Sequence, residues 1–182
     1  MSEHGLPLVW GATAEECART YPCDRYAPQA SLALYRAIDV AAPRELVYRW
    51  LQQLRVAPYS YDWADNFLIP SPSRLSPRAD RIEVGQRMMH LFTICEFEAG
   101  RSLTLGSRSR IGSALFGTLD GTYTVSARPG GGSRLFVKVN ANYAAHPIAR
   151  SFGALMPWID LFMMRKQLLR LRDFAQRDAA TN

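Results

Sequence analysis

The side chains able to bind a metal or act as a nucleophile are few. Three histidines, His4, His90 and His146, stand far apart, and none pairs with another at metal-ligand spacing. Three cysteines, Cys17, Cys23 and Cys95, form no CxxC pair and no zinc pattern. No metal is expected. No GxSxG nucleophile elbow is present, because Gly106-Ser107-Arg108-Ser109-Arg110 lacks the second glycine. No P-loop and no GxGxxG occurs, so no organic cofactor is expected either.

The densest cluster of functional side chains is Tyr59, Tyr61, Asp62, Trp63 and Asn66. Tyrosine and tryptophan carry flat apolar faces with a polar tip, which suits the wall of a ligand pocket. Asp62 could accept a proton or orient a ligand hydroxyl. A structural reading stands beside this one: the segment caps the sheet, with Asp62 and Asn66 bonding loop backbone. His90 has a side chain that works as acid or base near neutral pH, or as a satisfied core histidine. It falls on the face of Met88 and Phe92 in an expected strand. Arg36 shares the apolar parity of its strand; if it points inward it needs a partner, for which Asp62 or Glu96 are the candidates. It is either half of a structural ion pair or an anchor for a planar oxyanion. Tyr123, on the face of Leu119 and Val125, offers a hydroxyl to a pocket or to the core. Trp158, Phe162 and the pair Met163-Met164 read first as core, with part of that stripe available to a ligand.

These residues need elements to hold them. In Leu32 to Val40, Leu32, Leu34, Arg36, Ile38 and Val40 alternate with Ala33, Tyr35, Ala37 and Asp39, the pattern of a half-buried strand. Pro43 suits the first helical position, and Leu46, Val47, Trp50, Leu51 and Leu54 then follow helical spacing. Ala57 to Pro77 is irregular and rich in proline and serine. Four strands are expected after it: Arg87 to Phe97, Ser102 to Arg110, Gly117 to Ala127 and Arg134 to Tyr143, separated by glycine-rich breakers. In the last, Leu135, Val137, Val139 and Ala141 face one way while Lys138, Asn140 and Asn142 face the other. One long helix follows Pro147, with a kink expected near Pro157. Its stripe is Leu161, Met164, Leu168, Leu171 and Ala175. At the other end, Thr13 and Glu16 have the spacing of a capping box, and Trp10 is expected to bury against the domain.

The whole chain sets bounds on function. It has 182 residues, 48% hydrophobic and 21% charged, enough for one domain with a full core. Its net charge of +6 comes from 20 arginines and two lysines, Lys138 and Lys166, against 16 acids. The arginines are scattered and form no basic block, so nucleic-acid binding is not expected. The odd cysteine count fits a reducing compartment, no secretory signal opens the chain, and a cytoplasmic protein is expected. Ile148 to Met164 is broken by Arg150, Pro157 and Asp160 and is no membrane span.

Arg36-Ala37-Ile38-Asp39-Val40-Ala41-Ala42-Pro43-Arg44-Glu45 resembles the R-x-I-x-I-x-A-P-x-E entry to the first helix of the START/Bet v 1-like superfamily, also called SRPBCC. Val47 to Leu54 resembles the VWxWLxQ helix of one bacterial branch. Tyr59-Ser60-Tyr61-Asp62-Trp63-Ala64-Asp65-Asn66 matches that branch's YSYDWxDN segment, and Trp10 to Glu16 its WGAT-x-E-E arm. The resemblance implies an α+β helix-grip fold, a curved antiparallel sheet wrapped around a long C-terminal helix. It implies residues 1–30 as an arm and 31–182 as a ligand-binding domain. It also implies a carrier or sensor binding one small apolar or aromatic molecule in a cavity between sheet and helix. The alternative is a polyketide cyclase or dehydratase using the same cavity, with His90 and Asp62 as acid/base candidates. The expected cavity residues are Arg36, Tyr59, Tyr61, Asp62, Trp63, His90, Tyr123, Trp158 and Phe162.

Overall fold

The computed structural model describes residues 5–66, 68–108, 117–143 and 152–181, apart from the side chains of Ala64 and Asp65. His4, His146, Arg110 and the helix start expected after Pro147 lie outside these residues. The chain forms a curved, unclosed sheet of seven strands. These are β1 (Val9–Trp10), β2 (Leu32–Val40), β3 (Arg87–Met88), β4 (Phe92–Glu98), β5 (Ser102–Ser107), β6 (Thr118–Ala127) and β7 (Ser133–Asn142), in the order β1-β2-β7-β6-β5-β4-β3. All neighbours are antiparallel except β1, which runs parallel to β2 at the edge. Among the described residues, these α-helices accompany the sheet: α1 (Ala14–Ala18), α2 (Cys23–Tyr26), α3 (Arg44–Gln52), α4 (Asp62–Asp65) and α5 (Met156–Thr181).

The alternation of β2 has its expected consequence. Leu34, Arg36, Ile38 and Val40 are buried on the concave face, where α5 packs Leu168, Leu171 and Ala175 against them. The strand therefore presents one apolar face to one apolar helical stripe, the arrangement of a helix-grip fold. Trp50 of α3, Tyr59 and Phe174 of α5 meet as an aromatic cluster, with ring centroids 4.8 to 6.1 Å apart. The Trp50 indole N–H donates to Asp178 at 3.0 Å, tying α3 to the end of α5.

Three expectations change. Pro43 stands just before α3 rather than inside it; its carbonyl accepts from Leu46 and Val47. Pro157 occupies the first turn of α5, where a missing N–H breaks no helical bond, so it causes no kink. The first long strand is interrupted: Met89 and His90 have φ of 46° and 61°, and the chain turns between β3 and β4. The Met89 N–H donates to Leu54 at 3.1 Å, which ties that turn to the end of α3. A bulge between Ile94 and Glu96 adds to the bend of β4.

The outer face of the sheet is covered by the arm. Thr13 and Glu16 form the capping box of α1. Tyr21 stacks on Phe136 at 4.7 Å, and Cys23, fully buried, donates its N–H to the Thr122 hydroxyl at 2.9 Å. Lys138 and Asn140 point outward as the parity requires, yet both are buried. Each meets Asp24 at 2.7 Å, and the Lys138 ammonium lies 5.7 Å from both the Tyr21 and Tyr35 rings. Gly11, with φ of 73°, passes so close to the Ala37 carbonyl that a Cβ there would collide with it. Trp10 is half-buried, with the Arg165 guanidinium 5.7 Å from its ring.

Candidate functional site

Strand register places Arg36 beside Val137 and Val137 beside Tyr123, so one row crosses β2, β7 and β6 on the concave face. Neighbouring strands lie roughly 4.8 Å apart, which separates Arg36 from Tyr123 by about 10 Å. Val137 forms an apolar floor between two polar flanks. Across from this row, α5 contributes Asp160 and Gln167, seven positions apart and so on one helical face about two turns from each other. Met164 lies between them in sequence, and the Tyr123 hydroxyl reaches its sulfur at 3.6 Å.

Arg36 is fully buried. Its Nη2 donates to Asp160 at 2.8 Å, and its Nη1 donates to the carbonyls of Leu8 and Tyr35 at 2.8 and 2.9 Å. Its Nε–H has no acceptor among the described residues. The partner is thus Asp160 rather than Asp62 or Glu96. Glu96 instead pairs with Arg25 of the arm at 2.6 Å. Burial holds the Asp160 carboxyl above the usual carboxylate range, and the attraction of Arg36 only partly offsets it.

Tyr123 donates its O–H to the Gln167 side chain at 2.7 Å, and Gln167 donates in turn to the Pro58 carbonyl at 2.7 Å. Burial pushes the Tyr123 hydroxyl far above its normal pKa, so it stays a hydrogen-bond donor throughout the physiological range. Tyr59 is fully buried with φ of 57°, and its hydroxyl, pushed up to about 12 by burial and then by Asp62, has no partner among the described residues.

The other expected site residues lie elsewhere. Asp62 accepts from the Ser71 hydroxyl and from Arg170 at 3.0 Å. Burial alone would raise its pKa, but these two donors hold it below the usual range. Asn66 donates to the Ile69 carbonyl and accepts from His90 Nε2 at 3.2 Å. His90 is therefore an exposed turn residue facing the Tyr59 to Asn66 segment, not a strand residue facing the core. Tyr61 is partly buried and meets the Trp63 ring edge-on at 6.3 Å, while Trp63 itself is 71% exposed. Trp158 and Phe162, read as core, stack on each other at 6.4 Å on the outer face of α5. They lie about 80° to 160° in helical phase from Met164 and Leu168, which do face the sheet.

No protein-family model and no curated protein matches the sequence. Solved structures that resemble it include a Mesorhizobium loti protein at 14% identity, covering 80% of this chain and 97% of that one, with a TM-score of 0.48. A Chromobacterium violaceum protein aligns at 15% identity over 79% of this chain and 96% of its own, with a TM-score of 0.47. The di-domain ARO/CYC StfQ from the steffimycin biosynthetic pathway aligns at 11% identity over 86% of this chain and 54% of its own, with a TM-score of 0.46. The helix-grip assignment rests on the strand order and the gripped helix themselves.

Asp160 and Gln167 are the site residues that sequence reading passed over. Their signal was present: two polar side chains at a spacing of seven fall among Leu161, Met164, Leu168 and Leu171. A polar residue on a buried stripe demands a buried partner. Among the described residues no three His, Cys, Asp or Glu side chains gather as a metal site would need.

Proposed function

We propose that the chain binds one small apolar or aromatic molecule bearing an oxygen acceptor, held between the sheet and α5 over the Arg36–Val137–Tyr123 row. The observation that carries this reading is Arg36. A fully buried guanidinium has three of its N–H groups bonded to fixed protein partners, while its Nε–H is left without an acceptor. An orphaned buried donor costs free energy unless something fills it. A carboxylate, enolate or carbonyl oxygen matches that donor. Val137 and Met164 supply apolar contact, and Tyr123, whose O–H is given to Gln167, marks a second polar limit.

Binding is favoured over turnover by the state of the acid/base candidates. Asp62 is engaged by Ser71 and Arg170, and His90 is an exposed side chain turned to Asn66. On the row, Arg36 offers its Nε–H to a ligand oxygen, while the Tyr123 O–H is already given to Gln167.

Native mass spectrometry of the purified chain tests for a retained small molecule. Titration with two naphthylamine probes, one sulfonated and one neutral, tests the donors. Both are expected to bind with micromolar affinity, about 8 kcal/mol. The sulfonated probe should bind more tightly to the wild type, and that preference should vanish in Arg36→Met/Asp160→Met. Phe162→Ser, on the outer face, should leave both affinities unchanged. Absence of a retained molecule together with absence of probe binding would overturn the reading.

A further inference from the structure

The start of α5 carries an apolar surface that the core does not use. Phe152, Leu155, Trp158 and Phe162 are 53%, 52%, 38% and 56% exposed. Met156 and Ile159 donate to the Phe152 and Leu155 carbonyls, so these residues form the turns that lead into α5. Leu155, Trp158 and Phe162 then fall within about 60° of helical phase, on the side away from the sheet. Chain logic does not demand this. Leu161 and Leu168 are buried and Met164 packs against the core, so α5 already fills it.

The charge beside this patch has one sign. Arg165 and Lys166 follow Phe162 on the same outer side and are exposed. Lys166 has no partner among the described residues. The single acid between residues 152 and 170 is Asp160, which points to the sheet and is held by Arg36. The whole chain adds a net charge of +6.

We propose that the start of α5 docks on an anionic lipid bilayer, with Leu155, Trp158 and Phe162 entering the headgroup boundary and Lys166 and Arg165 meeting lipid phosphates. The chemistry fits that occupant in two ways. Protruding aromatic and leucine side chains beside cations are the composition of helices that lie at a membrane surface. Tryptophan in particular prefers the boundary between headgroups and acyl chains. No crossing of the bilayer is involved, since no described helix is long and apolar enough to span one.

The test uses the full chain with vesicles of phosphatidylcholine alone and of phosphatidylcholine mixed with phosphatidylglycerol. The chain should float with the mixed vesicles and not with the neutral ones, and added salt should release it. Leu155→Ser/Phe162→Ser should weaken partitioning about tenfold or more. Lys166→Glu should weaken it in mixed vesicles. Brominated phosphatidylcholine in the mixed vesicles should quench wild-type fluorescence, and less so in Trp158→Phe, a readout that holds even if the double variant folds poorly. Failure to float with mixed vesicles, or equal partitioning of wild type and double variant, would overturn the proposal. Self-association that Leu155→Ser/Phe162→Ser abolishes, without any flotation, would assign the patch to a second copy of the chain instead. Vesicle flotation and interior probe binding are separate readouts, so either can fail alone.

Discussion

Arg36 and Asp160 are coupled across the sheet–helix interface, and their worth shows only when one is removed. Arg36→Met strips Asp160 of its counter-charge, and Asp160→Asn leaves a fully buried guanidinium without an anion. Breaking one side of such a pair costs about 3 to 5 kcal/mol, whereas replacing both by apolar groups is often neutral. Chemical denaturation of the two single variants and of Arg36→Met/Asp160→Met should therefore show two strongly destabilised proteins and one close to wild type. Equal and additive losses would mean that the two side chains do not interact.

At the scale of elements, the arm is held by ionic contacts that titrate in acid. The Glu16 carboxylate receives two bonds from Arg134 at 2.8 Å, and Asp24 receives Lys138, Asn140 and the Tyr21 N–H. Burial would raise both pKa values, but these donors outweigh it and both are lowered in the folded chain. A lowered carboxylate contributes stability above its unfolded pKa and loses it as pH falls through the folded value. With ordinary values of 4.5 and 3.8, the arm should loosen below about pH 4. Hydrogen exchange of amides 13–26 should accelerate there before the amides of β6 and β7 do. Simultaneous loss of both sets would show arm and sheet to be one cooperative unit. Deleting residues 1–30 should lower the melting temperature by several degrees, because Phe136, Lys138 and Asn140 lose their cover.

At the scale of the whole molecule, α5 closes the fold by its phase. Leu168 is fully buried against the sheet, while its neighbour Leu169 is half-exposed. Leu168→Ala should cost about 3 kcal/mol through lost burial and the cavity left behind, and Leu169→Ala less than about 1 kcal/mol. Truncation after Gln167 removes Leu168, Leu171 and Ala175 together, along with the Trp50–Asp178 bond. That chain should keep sheet signal in the far ultraviolet, lose its aromatic near-ultraviolet signal and expose apolar surface. Cooperative, wild-type-like unfolding of the truncated chain would contradict this account of the grip.

Periodicity carried most of the fold. The bounds of β2, the inward set of β7, the α1 capping box and the buried stripe of α5 are local patterns, and burial of one face per element makes them legible residue by residue. Arg36 could be read as inward for the same reason, but its partner could not. Asp160 lies 124 positions away and meets it only because α5 crosses β2. Lys138 and Asn140 face outward by parity, and the arm that buries them is a tertiary decision. His90 left its strand because Met89 and His90 adopt left-handed backbone, which no side-chain alternation reports. Trp158 and Phe162 ended outside because hydrophobicity alone does not set which side of a helix meets the sheet. That choice follows the larger stripe of Leu161, Leu168, Leu171 and Ala175, whose burial outweighs that of two aromatics set off to one side of it.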